Sequence, residues 1–207
     1  MSPRLLVATA NEGKLREIRA LLQGIALVGL REVGIDDLDE PWDDFVANAV
    51  AKAREASRRS GLPALADDSG LCVDRLGGAP GVFSARFAGA HGDDNANRTR
   101  LLRCLEGLPG PLRGARFRCV VALADHRGPL GPRVLRVQGT CQGHIAPEPR
   151  GDQGFGFDPL FVLEGASRTL AELPPDEKNH RSHRAHALAR MVPLVRGYLG
   201  VGWNSSV

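Results

Sequence analysis

The stretch ATANEGKLRE, residues 8–17, follows directly on the apolar run Leu5-Leu6-Val7. Arg4 to Ala8 reads as a buried strand. Residues 13–22 read as a helix, because Leu15, Ile18, Leu21 and Leu22 recur at helical spacing before the stop at Gly24. A strand end turning into a helix N-terminus presents backbone N–H groups and the positive end of a dipole, which suit an anion. Thr9 and Asn11 add side-chain donors, and Lys14 adds a point charge. The Gly13-Lys14 pair invites comparison with a phosphate-binding P-loop, but Ala8 stands where its opening glycine belongs. Leu15 stands where the metal-holding hydroxyl belongs. If this loop grips phosphate, oxygen ligands for a cation have to come from elsewhere in the chain.

Working outward, acidic residues gather in two places. The first is the irregular segment DDLDEPWDD, residues 36–44, with Glu40 at its centre. The second is Asp67-Asp68-Ser69-Gly70, set inside the apolar run PALADDSGLCV, where it reads as a break in a strand. Two carboxylates in such a run are costly unless they meet water, a cation or backbone donors. That makes Asp67-Asp68-Ser69-Gly70 the best candidate for holding the cation, with Glu40 of the acidic segment as a second candidate ligand. Between the two groups lies a helix over 45–60, capped by Asp44 and ended by Gly61. Its apolar stripe is Phe45, Ala49, Ala53 and Ala56, while Asn48 and Lys52, four apart, share a neighbouring face.

Further helices are expected over 95–105 and 182–199, with paired strands over 117–124 and 134–141 joined by the Gly/Pro turn at 128–132. A glycine-rich segment, 151–158, leads into the apolar run 159–163. The tail beyond Trp203 is expected to be loose. Strands and helices intermix with no repeat and no dividing linker, which indicates one α/β domain with a mixed sheet across 207 residues.

Composition narrows the class. The chain is 43% hydrophobic and 25% charged, as for an ordinary soluble protein, with no apolar run long enough to cross a bilayer; without the basic, apolar and cleavage regions of a signal peptide at its N-terminus, none is expected. Cys72, Cys104, Cys119 and Cys141 are scattered without a C-x-x-C pair, which reads as free thiols in a reducing cytoplasm. A net charge of +3, dispersed basic residues and 5% aromatics leave nucleic-acid binding without a motif. Of the 27 basic residues only Lys14, Lys52 and Lys178 are lysine. In so arginine-rich a chain, lysines are expected where a compact, mobile ammonium is needed.

Six motifs in order, TANEGK (9–14), FVANAVAKA (45–53), ADDSGL (66–71), GAPGVFSARFAG (78–89), GFGFDPLF (154–161) and KNHRSHRAHAL (178–188), closely resemble the inosine/xanthosine triphosphate pyrophosphatases. The three lysines fall within the first, second and last. The resemblance runs from about residue 4 to about residue 195. It implies an α/β fold of two lobes with a long mixed sheet flanked by helices and an active-site cleft between the lobes, a homodimer, and Mg²⁺-dependent hydrolysis of ITP, dITP and XTP to monophosphate and pyrophosphate.

By position, the resemblance assigns Thr9, Ala10, Asn11, Glu12, Gly13 and Lys14 to the triphosphate. Asp68 becomes general base and metal acid, and Glu40 the other metal carboxylate. Ser69, Lys52 and Lys178 become substrate contacts. Phe155, Gly156, Phe157 and Asp158, with His183 and Arg184, become the base pocket. Two departures stand out: Phe157 replaces a common Tyr or Trp, and Pro41-Trp42 follow Glu40 in place of small polar residues. Read without the resemblance, Phe155 and Phe157 also suit a core, Asp158 a turn, and Ser182 a helix cap. The rivals to this function are a Maf-like pyrophosphatase of pyrimidine or modified nucleotides and a catalytically silent nucleotide-binding regulator.

Overall fold

The computed structural model describes residues 4–200; the expected loose tail lies outside them. The elements run β1 (Arg4–Val7), α1 (Glu12–Leu21), β2 (Ala26–Gly29), α2 (Phe45–Ser60), β3 (Ala64–Val73), α3 (Asp94–Cys104), β4 (Gly114–Ala124), β5 (Val134–Ile145), β6 (Phe161–Leu163), α4 (Pro175–Arg181) and α5 (His183–Leu199). Six strands form one mixed sheet in the order β2-β1-β3-β4-β5-β6. β1 pairs in parallel with both β2 and β3, whereas β6 runs antiparallel to β5. This is the expected mixed α/β architecture.

Among the described residues the chain divides into two compact units, the first built from 4–68, 120–138 and 187–200, the second from 69–119 and 139–186. β3, β4, β5 and α5 each pass from one unit into the other.

In the first unit the strand–turn–helix reading of the N-terminus holds. Leu5, Leu6 and Val7 are fully buried, and Ile18 and Leu22 of the α1 segment are nearly so. Asn11 caps α1 by accepting the Lys14 N–H at 3.0 Å. α2 begins and ends where its caps predict: Asp44 accepts the Ala47 N–H at 2.8 Å, and Gly61 closes the helix at φ +71°. Its alanines at 49, 53 and 56 are completely buried. Burying three small side chains in register lets the helix backbone lie close to its neighbours, and that carries Asn48 and Lys52 inward as well.

In the second unit a core forms from Leu71, Val73, Leu101, Phe117, Ile145, Phe161 and their neighbours. Phe117 and Phe161 meet at 4.8 Å in a tilted arrangement, a favourable geometry for two ring quadrupoles. Phe157 belongs to this core at 3% exposure.

The expected break at 67–70 is absent. β3 runs unbroken through Asp67, Asp68, Ser69 and Gly70. Ladder hydrogen bonding tolerates the acids because cations from elsewhere meet them. Gly70 also has a steric role: a Cβ there would lie 2.2 Å from the Gly81 carbonyl oxygen and 2.6 Å from Ser84 Oγ. Ser84 Oγ accepts the Leu71 N–H at 2.9 Å and donates to the Gly81 carbonyl at 2.6 Å, so it braces the strand.

Candidate active site

The first unit gathers three acids and two lysines. Lys52, from the middle of α2, is 5% exposed. Its Nζ pairs with Glu40, donates to the Asp67 carbonyl at 2.7 Å and stands 4.0 Å from Asp68 Oδ1. Lys14, from the first turn of α1, pairs with Asp67 Oδ2 at 3.4 Å. Five residues from α1, the acidic segment, α2 and β3 thus meet in one cluster.

Electrostatics separates the acids. Burial drives the Asp68 carboxyl above the usual carboxylate range, helped by Glu40; Lys52, Lys14 and the Asn48 amide only partly offset this. Burial also pushes Glu40 upward, but Lys52 and Lys14 more than compensate and hold it below the ordinary value. Burial pulls the Lys52 ammonium down, and Glu40, Asp68 and Asp67 together lift it above its ordinary value. Lys52 therefore stays charged. Of Glu40 and Asp68, Asp68 is the acid whose proton is held more readily, and its buried Oδ2 accepts no hydrogen bond among the described residues.

The segment that carries Glu40 is held by Asn48. The Asn48 side chain accepts the Trp42 N–H at 3.0 Å and donates to the Trp42 carbonyl at 2.9 Å, clamping both backbone groups of one residue. Asn48 itself is fully buried. Its placement one turn before Lys52 was visible in the sequence; the grip on Trp42 was not, because nothing local pairs residues 42 and 48. Of the opening loop, Thr9, Ala10, Asn11 and Glu12 sit at or near the surface and Gly13 is buried. Thr9 Oγ1 accepts the Asn11 N–H at 3.2 Å, so its oxygen and that of Asn11 shape the turn.

The second unit forms its own polar cluster. Lys178, from α4, is buried and donates to Asp158 Oδ2 at 2.6 Å; the same oxygen accepts the Phe155 N–H at 2.9 Å. Lys178 Nζ lies 5.0 Å from the centre of the Phe155 ring, and the Arg184 guanidinium lies 5.7 Å from it, both within cation–π range. Arg184, 1% exposed, donates to Ser69 Oγ at 2.8 Å. Gly154 is needed here, since a Cβ at its φ of +81° would fall 2.2 Å from Asp158 Oδ2.

The structure therefore joins Phe155, Asp158, Lys178, Arg184 and Ser69, and it parts Phe157 from them. Phe157 faces the core and Phe155 carries the ring beside the cations, because Gly156 at φ +61° lets the chain reverse between them. His183 stacks on Phe117 at 4.6 Å and 10°, with Cys141 Sγ 4.0 Å from its Nδ1. Ser182 caps α5 by accepting the Ala185 N–H at 3.1 Å. α4, which supplies Lys178, was not foreseen as a helix; Pro174-Pro175 ahead of Asp176 and Glu177 is the signal that marks its start.

A family model for the Ham1 family matches residues 5–194. The chain belongs to the Ham1 family. Among Ham1 relatives, a dITP/XTP pyrophosphatase of Methylococcus capsulatus is 44% identical over 202 residues, covering 97% of this chain and all of that protein. One of Streptomyces avermitilis with the same name is 48% identical over 202 residues, covering 95% and 99%. Among solved structures, a HAM1 protein from Coxiella burnetii superposes with a TM-score of 0.83 at 41% identity, covering 94% of this chain and 99% of that one. The mixed sheet and its flanking helices are thus the Ham1 fold. Among the described residues no helix is long and apolar enough to cross a membrane.

Proposed function

We propose that this chain hydrolyses non-canonical purine nucleoside triphosphates, dITP, XTP and ITP, to the monophosphate and pyrophosphate. The names of its Ham1 relatives support the reaction. The observation that carries it is the state of Asp68: a buried carboxylate beside Lys52 and Lys14, with one oxygen accepting no hydrogen bond among the described residues.

That orphaned oxygen fits a hard divalent cation. Among the described residues no three of His, Cys, Asp and Glu gather as a metal cage. Mg²⁺ needs none, since one or two carboxylates commonly hold it while water and substrate phosphates complete the shell. Asp68 and Glu40 would hold the ion, and Mg²⁺ so held would neutralise phosphate charge and help align a water.

The remaining steps belong to the side chains. Lys14 and Lys52 bind the phosphate oxygens and favour the charge that builds as the bond to the α-phosphorus breaks. Water adds to that phosphorus, its proton passes to Asp68, and pyrophosphate leaves. For the base, Phe155 offers a stacking face. Arg184, with His183 or backbone N–H groups, donates toward the C6 carbonyl that hypoxanthine and xanthine carry and adenine lacks. A buried mismatch against an amino group can discriminate by about 10⁴-fold. We further propose a cytoplasmic homodimer; light scattering on the purified chain tests the dimer.

The deciding experiment is pyrophosphate release from dITP, XTP, ITP, ATP, dUTP and dTTP, with and without Mg²⁺. Release confined to the first three, and lost on chelation, is expected. Equal turnover of ATP and ITP, or preference for the pyrimidines, overturns the reading.

A further inference from the structure

The loop that carries Phe155 is tethered from a distant part of the second unit. At the start of α3, Asp94 Oδ2 accepts the Gly156 N–H at 2.6 Å, and one turn later Arg98 Nη1 donates to the Gly156 carbonyl at 2.7 Å. Arg98 also bonds the Asn95 side chain through its other terminal nitrogen, which fixes the guanidinium. On the near side, the Phe155 N–H is held by Asp158. The peptide before Phe155 is therefore pinned through the Phe155 N–H, and the peptide after it through the Gly156 N–H. Pinning both planes sets φ and ψ of Phe155 and hence the direction of its Cα–Cβ bond.

On the side facing α3, packing does not supply this constraint. Between α3 and the loop lies a cavity of about 620 Å³, walled by 92–95 and Arg98 on one side and by 151–155 and Pro159 on the other. Gly156, at φ +61°, is the position most able to rotate if released. A loop with open space on one face and a glycine hinge would sample several ring orientations without the two polar contacts.

We propose that Asp94 and Arg98 are positioning residues for base recognition: through the Gly156 peptides they hold the Phe155 ring in the orientation that stacks on the purine. This rests on the functional reading above. It adds two residues, about sixty positions away in sequence, that act through the Gly156 backbone and lie in none of the six motifs.

The test compares Asp94→Ala, Asp94→Asn, Arg98→Ala and wild type in hydrolysis of XTP, ITP and ATP, with inorganic triphosphate as a competitive inhibitor that has no base. A hydrogen bond to a charged group contributes about 1.5–3 kcal/mol, so losing one can weaken ring placement by roughly 10- to 100-fold. Asp94→Ala and Arg98→Ala should raise KM for XTP and ITP about tenfold or more and compress the preference over ATP. The inhibition constant of inorganic triphosphate should stay within about twofold. Asp94→Asn, which keeps an acceptor oxygen, should recover most of the lost KM. Melting curves of each variant establish that the fold persists.

Wild-type KM and selectivity in Asp94→Ala overturn the inference, as does an equal loss of triphosphate affinity or an Asp94→Asn variant no better than alanine. If wild type itself hydrolyses none of the three purine substrates, the functional reading fails instead. The two failures are distinct.

Discussion

Replacing Asp68 with Asn should do two opposite things: remove turnover and stabilise the fold. The carboxylate is 3% exposed. Lys52, at 4.0 Å, returns about 4 kcal/mol at an effective dielectric near 20. Against this stand several kcal/mol of desolvation per buried ion and the repulsion of Glu40. The raised carboxyl shows that the opposing side prevails. Ionised Asp68 therefore costs the metal-free fold stability. For a group whose folded pKa is raised, the stabilising contribution is complete below the unfolded value near 3.9 and is lost as pH climbs through the folded one. Above that folded value it has been lost, and the ionised carboxylate is a burden on the metal-free fold.

A neutral amide removes that penalty, for a gain on the order of 1 kcal/mol out of the 1–3 kcal/mol typical of an unsatisfied buried polar group. In a chain of this size that is a rise in Tm of roughly 2–4 °C. The gain should shrink as pH falls through the raised folded value, where wild-type Asp68 is itself protonated. Turnover should drop by about 10²–10⁴-fold for loss of the proton acceptor alone. Added Mg²⁺ should stabilise wild type, by about 2.7 kcal/mol at a hundredfold excess over its dissociation constant, and not the variant. Calorimetry in chelator and in Mg²⁺ from pH 4 to 8, with pyrophosphate release alongside, reads every arm. A variant less stable than wild type at pH 7 in chelator, or one with near-normal turnover, would refute the reasoning.

Asn48→Ala removes both hydrogen bonds to the Trp42 backbone; stability should fall by about 1–3 kcal/mol, and the Trp42 emission should shift as its segment loosens. Gly70→Ala drives a Cβ against the Gly81 carbonyl, an overpacking that should cost about 1–3 kcal/mol, visible as a lower midpoint in urea. Native protein should show a single fast thiol with Ellman's reagent at pH 8, Cys104. Cys72, Cys119 and Cys141 are buried, and burial pushes the Cys141 thiol up to about 11, so they should react only after unfolding.

What could be read directly from the chain was local. The strand–turn–helix at the N-terminus, the Asp44 and Gly61 boundaries of α2 and the strands ahead of and behind residues 128–132 follow from periodicity and capping. Those depend on residues within a few positions of one another. The motifs named the family, and the three lysines pointed to where charge is handled.

Tertiary structure decided which charges meet. Asp67 and Asp68 looked like a strand break because nothing near them in sequence offsets their desolvation. β3 stays continuous because Lys14 from α1 and Lys52 from α2 stand against it. Phe155 and Phe157 are equivalent as letters on either side of Gly156. Only the surrounding core shows that one ring packs inward while the other faces Lys178 and Arg184. The grip of Asp94 and Arg98 on Gly156 spans about sixty residues, and no periodicity can encode it. Hydrophobic pattern fixes elements because burial acts along each segment. The pairing of buried charges depends on distances between segments, which exist only once the chain has folded.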